Sequence, residues 1–114
     1  MLLILEDNLD KDASILASER VVFEQRGFEV VRDVATAINR WVTQTYEAIY
    51  VDFELGQGME TGLNFLHQAA HFDGCNQNVT FVVTSFSPSA CASMVDFLRE
   101  TKAKYRVWSP YARL

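Results

Sequence analysis

The sequence predicts an α/β fold in which a parallel sheet of five short strands is covered by helices on both faces. Two observations predict it. Short apolar runs, partly β-branched, alternate along the whole chain with longer segments whose apolar residues recur at helical spacing. Such strict alternation implies parallel strands joined by right-handed helical crossovers. In addition, three of the runs stop abruptly at acidic or hydroxyl residues, as strands do when they end at the rim of a sheet where ligands bind.

The elements follow in order. Leu2 to Leu5 is a wholly apolar strand that stops at Glu6-Asp7-Asn8. From about Asp10 to Arg26, Ile15, Leu16, Val22 and Phe23 mark the inner face of a first helix, and Gly27 is placed to end it. A second strand is expected over Phe28 to Arg32. Asp33 then caps a helix with Val34, Ile38, Trp41 and Val42 on its apolar face. Ala48 to Val51 reads as a buried third strand, followed at once by Asp52 and by a loop containing Gly56, Gly58 and Gly62 that suits close backbone approach. Thr61 or Gly62 opens a third helix with Leu63, Leu66 and Ala70 inward, broken at Asp73-Gly74. Thr80 to Val83 is a fourth strand ending at Thr84-Ser85. Ser87-Pro88 is a cap followed by proline at the first helical position, and Cys91, Met94, Val95 and Leu98 form the buried stripe of the fourth helix. Tyr105 to Trp108 is a short last strand, ended by Ser109-Pro110.

The 114 residues make one domain, 1–114, large enough to fold on its own core. Ten Lys and Arg against fifteen Asp and Glu leave a net charge of −5, which argues against a nucleic-acid surface. No apolar run approaches the length of a membrane span, and MLLIL is too short for a signal peptide, so a cytoplasmic protein is the expectation. Cys75 and Cys91 fit no zinc-ligand spacing and read as reduced structural thiols. The glycines of GQGMETG are not followed by the Lys-Ser or Lys-Thr of a nucleotide loop. His67 and His71, four apart on a helix, read as an exposed face more readily than as metal ligands.

Glu6 and Asp7, Asp52, and Thr84 lie just beyond three different buried strands, and in a parallel sheet they converge on one edge. Three acids brought together repel unless protons or a cation offset the charge. Oxygen donors of this kind suit Mg²⁺. A hydroxyl such as Thr84 is placed to hydrogen-bond a tetrahedral group carried by Asp52.

These residues resemble the receiver domains of two-component response regulators. The acids of LEDN look like that family's metal-binding pair, Asp52 like its phosphoacceptor, and Thr84-Ser85 like its hydroxyl followed by a small residue. The resemblance implies a flavodoxin-like, three-layer fold with strand order 2-1-3-4-5. It also implies Mg²⁺ held by Glu6, Asp7 and Asp52, and transfer of a phosphoryl group to Asp52 from a histidine kinase or phosphotransfer protein. Such a domain is a phosphoacceptor with at most slow autodephosphorylation, not an enzyme in the ordinary sense.

The chain departs from the family at three places. Ser109 stands where the family has a lysine before the proline, and a hydroxyl cannot supply that point charge. If another cation takes the role, Lys104, Arg106 and Arg113 are the candidates. Arg106 itself occupies a position that is usually aromatic. Leu114 leaves no room for the usual fifth helix, so an open apolar face is expected, with Trp108, Tyr111 and Leu114 as contacts for a homodimer or partner. The alternative reading is a pseudo-receiver, a protein-interaction module that works without phosphate.

Overall fold

Strands β1 (Leu2–Leu5), β2 (Phe28–Val31), β3 (Ala48–Val51), β4 (Thr80–Val83) and β5 (Lys104–Val107) form one parallel sheet in the order β2-β1-β3-β4-β5. The computed structural model describes residues 1–7, 15, 17–72, 74–85 and 87–108. Among them four helices connect the strands: α1 (Arg20–Arg26), α2 (Val34–Thr43), α3 (Gly62–Ala69) and α4 (Pro88–Glu100). The flavodoxin-like strand order that the resemblance implies is therefore the observed one. No helix among the described residues is long and apolar enough to cross a membrane.

The pleat divides the strand residues between two cores. Leu3, Leu5, Ile49, Val51, Phe81 and Val83 point to one side and pack against Val34, Ala37 and Trp41 of α2, Phe65, Leu66 and Ala69 of α3, and Met94 and Leu98 of α4. Leu2, Ile4, Tyr50 and Val82 point to the other, where they meet Ile15, Phe23 and Trp108. Trp41 stacks on Phe81 with ring centroids 5.7 Å apart, so the larger core is anchored through aromatic contact at the lower end of β4.

The helix ends follow the expected signals. The Asp33 carboxylate accepts from Thr36 N at 2.8 Å at the start of α2, which holds its carboxyl below the usual aspartate range. Thr61 and Asn64 form a reciprocal capping box at the start of α3, and Ser87 caps α4 with Pro88 behind it.

Several inward faces differ from the expected ones. In α2, Ala37 is buried and Val42 is exposed; in α3, Phe65 and Ala69 face the core while Ala70 is exposed and the helix stops at Ala69, short of Asp73-Gly74. In α1, Phe23 points inward and Val22 outward. Apolar identity does not fix which neighbour turns in, because the rotation of a helix on the sheet decides it. The expected starting residues of the first helix, 10–14, and Leu16 lie outside the described residues.

The face carrying Leu2 and Ile4 is not open at Trp108, contrary to expectation. The indole is buried against this core, and its Nε1–H donates to Ser18 Oγ at 2.8 Å. Beside it Arg106 donates to Glu19 Oε1 at 2.6 Å and to the Tyr50 hydroxyl at 3.1 Å, with its guanidinium 5.7 Å from the Tyr50 ring centre. On this face of β5 Arg106 is thus a cation, and it closes the sheet against the Glu19 carboxylate at the start of α1. Burial, followed by Glu19, pushes the Tyr50 hydroxyl up to about 12, so it stays a neutral donor and acceptor at physiological pH. Tyr111 and Leu114 lie outside the described residues. Cys75 and Cys91 are free thiols, and burial raises Cys91.

Candidate phosphoacceptor site

The parallel ladder continues one residue beyond the strands. Glu6 N donates to Val31 O at 3.1 Å, Asp52 N to Leu5 O at 3.1 Å, Thr84 N to Val51 O at 3.0 Å and Trp108 N to Val83 O at 2.8 Å. Since Leu5 pairs with Val31 and Val51, and Val83 with Val51 and Val107, the next residues form a single row: Arg32, Glu6, Asp52, Thr84 and Trp108. Backbone hydrogen bonding, not side-chain attraction, therefore delivers the acids and the hydroxyl to one edge. The cost of gathering like charges is borne by the sheet.

Glu6 is fully buried, Asp52 is 5% exposed and Asp7 is exposed. One oxygen from each carboxylate lies within 4.8 Å of the others. Thr84 is fully buried, and its Oγ1 has no hydrogen-bond partner among the described residues. A buried hydroxyl in that state is uncommon and marks a place where a further polar group belongs. An all-oxygen donor set with one exposed member fits a hard cation that keeps water ligands.

The loop behind Asp52 is shaped by two different glycine requirements. Gly62 opens α3 with its N–H on Phe53 O at 2.9 Å, and a Cβ built there would stand 1.9 Å from Asp52 O. Any side chain would displace the backbone that carries Asp52. Gly56 has φ +119, and a Cβ there would be 3.8 Å from Asp7 Oδ2, so this turn backs directly onto the acid group. The close approach expected of the loop is thus real, with Gly62 as its tightest point.

Ser85 Oγ accepts from Ser87 N at 3.2 Å, which ties the end of β4 to the cap of α4. Ser109 lies outside the described residues, as does Arg113. Of the other cations expected to replace the lysine, Lys104 opens β5 at the opposite end of the sheet, paired with Thr80. Arg106 is held by Glu19 and Tyr50. Neither serves the acidic edge. His67 lies against Phe97, with ring centroids 4.1 Å apart, while His71 is beyond the end of α3, so the two do not form a metal clasp.

No protein-family model matches the chain, and no curated protein matches its sequence. Solved structures do match. A response regulator receiver domain protein, CheY-like, from Methanospirillum hungatei aligns with TM-score 0.66 at 16% identity over 96% of this chain and 80% of that one. A two-component response regulator from Legionella pneumophila gives 0.69 at 12% identity over 96% and 85%. The fold is that of a response regulator receiver domain. A response regulator from Thermotoga maritima, solved in complex with Mg²⁺-BeF, shares this receiver fold with TM-score 0.65 at 13% identity over 98% and 89% of the two chains. At these identities the likeness concerns the backbone fold.

Proposed function

We propose that this domain is a two-component receiver that accepts a phosphoryl group on Asp52. The observation carrying this reading is the row of Glu6, Asp52 and Thr84, with Asp7 beside it and a buried hydroxyl lacking a partner among the described residues.

An Asp52 carboxylate oxygen attacks the phosphorus of a phosphohistidine on a histidine kinase or phosphotransfer protein. The P–N bond breaks, its electron pair stays on the imidazole, and the product is an acyl phosphate on Asp52. Glu6, Asp7 and Asp52 would hold Mg²⁺, which when bound offsets charge on the phosphoryl oxygens. The Thr84 Oγ1–H donates to one of those oxygens. Gly62 keeps the Asp52 backbone in place, so that the nucleophile is positioned before the donor arrives. Water then hydrolyses the acyl phosphate slowly, breaking the bond from phosphorus to the Asp52 oxygen and releasing inorganic phosphate with the free carboxylate, which makes the domain a timed acceptor.

Incubation with phosphoramidate and Mg²⁺ followed by intact mass tests the reading. The expected result is a gain of one phosphoryl group in the wild type that Asp52→Asn abolishes. No gain, or a gain that survives Asp52→Asn, overturns it.

A further inference from the structure

Away from the acidic edge, at the N-terminal ends of the strands, two clefts meet. One, of about 430 Å³, lies between α3 and α4 and is lined by Trp41, Leu66, Phe81, Phe97, Leu98 and Ala103. The other, of about 290 Å³, continues past Trp41 and Phe81 to Lys102 and Lys104. Ala69, Ala70 and Ala103 line both. These small side chains leave the space between the aromatic rings unfilled, and its size is that of small-molecule sites, about 300–1,000 Å³.

The walls specify the occupant. The larger cleft is apolar and aromatic. Trp41, which is wall to both clefts, is 6% exposed, and its Nε1–H has no acceptor among the described residues. A buried donor in that state marks a place for an acceptor. The smaller cleft is lined by two lysines and, among the described residues, by no acid. Lys102 also stands in an unusual place. Its N–H donates to Arg99 O at 3.1 Å and that of Ala103 to Leu98 O at 3.0 Å, the two bonds of a Schellman turn that closes α4. Lys102 has φ +58, a conformation that such turns usually give to glycine. The backbone there would favour a glycine, and the chain carries a cation at the cleft instead.

We propose that the joined clefts bind a small aromatic carboxylate. Its ring lies among Leu66, Phe81 and Phe97, and its carboxylate sits at the Trp41 wall, accepting the indole N–H and facing Lys102 and Lys104. The site lies at the opposite end of the sheet from Asp52, so it stands or falls independently of the receiver reading.

The two tryptophans of the chain supply the readout. Trp108 donates its indole N–H to Ser18 Oγ at 2.8 Å in the other core, which makes its signal an internal control. The full chain, labelled with nitrogen-15, is titrated with 1-naphthylacetate and, separately, with its uncharged counterpart 2-(1-naphthyl)ethanol. The acid at millimolar concentration is expected to move the Trp41 indole signal saturably and leave that of Trp108 still, and the alcohol to bind more weakly by about fivefold. Lys102→Gln/Lys104→Gln should raise the Kd of the acid by a similar factor and leave that of the alcohol unchanged. Ala70→Phe, at an exposed position, should fill the shared wall and abolish binding of both, with an unmoved Trp108 signal showing that the fold is kept. No saturable movement of the Trp41 signal overturns the proposal, as does equal movement of both indoles. So does an alcohol that binds as tightly as the acid, or acid binding that survives Ala70→Phe. A wild type that sediments as a dimer and takes up no acid overturns it too, since a second copy would then cover the clefts.

Discussion

At the N-terminal ends of the strands, Asn76 is nearly buried and its side chain closes three hydrogen bonds: Oδ1 accepts from Tyr46 N at 2.6 Å, and Nδ2 donates to Trp41 O at 2.9 Å and Gln44 O at 3.0 Å. Nearby, Arg40 and the Tyr46 hydroxyl both bond Glu29. At the C-terminal ends, three carboxylates converge and Thr84 Oγ1 meets no acceptor or donor among the described residues. The lower end ties the last turn of α2 and the start of β3 to the loop before β4. Its exception is the Trp41 indole N–H, buried without an acceptor among the described residues. The difference teaches how the molecule divides its polar groups: those that complete one another hold the fold at one edge, and like charges are gathered with a buried hydroxyl at the other.

Breaking the lower network gives the largest effect. Asn76→Ala removes two buried hydrogen bonds and a partly buried third and puts a Cβ-only side chain at φ +46, a conformation that asparagine tolerates better than alanine. The expected loss is about 3 kcal/mol in urea unfolding. Asn76→Gly, which adopts that φ freely, should lose less, and the difference between them measures the backbone part. Full stability in both variants would show that the network contributes nothing.

The upper edge responds in the opposite direction. Asp52→Asn removes one of three like charges, so the ligand-free protein should gain about 1 kcal/mol. Millimolar Mg²⁺ should raise the melting temperature of the wild type and leave that of the variant nearly unchanged. A destabilised variant, or a wild type insensitive to Mg²⁺, contradicts an acidic pocket built for a cation.

The smallest effect sharpens the comparison through pH. The Arg40 guanidinium, and then the Tyr46 hydroxyl, hold the Glu29 carboxyl below the usual glutamate range against the opposing effect of burial. Glu29, in turn, adds to burial in pushing Tyr46 up to about 12. A lowered folded value means that the contribution of Glu29 is fully present above the ordinary glutamate value, about 4.3, and is lost as pH falls through the folded value. With one third of the side chain exposed, it is worth less than about 1 kcal/mol. Glu29→Gln should therefore lower the melting temperature slightly at pH 7 and lose less than the wild type on going to pH 3. Equal acid sensitivity in both would show that this pair is not part of the acid response.

Strand positions were legible in the sequence because a short apolar run closed by a polar residue has few alternatives in a chain of this alternation. β1, β3 and β4 have the bounds that their runs predict, and the caps Asp33, Thr61 and Ser87 act where their side chains suggest. The carboxylates at the strand ends were legible for the same reason: each is fixed by its own strand. Which helix residues turn inward was not, since Ala37 and Ala69 are buried while Val42 and Ala70 are exposed through helix rotation alone. Nor could sequence show that Trp108 closes a face or that Gly62 lies against the Asp52 backbone, because those contacts join residues far apart in the chain or at a distance set by a loop's path. The same holds for Arg32. It is an ordinary residue at the end of a strand until the order β2-β1-β3 brings its guanidinium over Glu6. The sequence by itself determined the alternation, the acids and the missing lysine; lateral pairing of strands, a non-local interaction that no local pattern encodes, decided which charges meet.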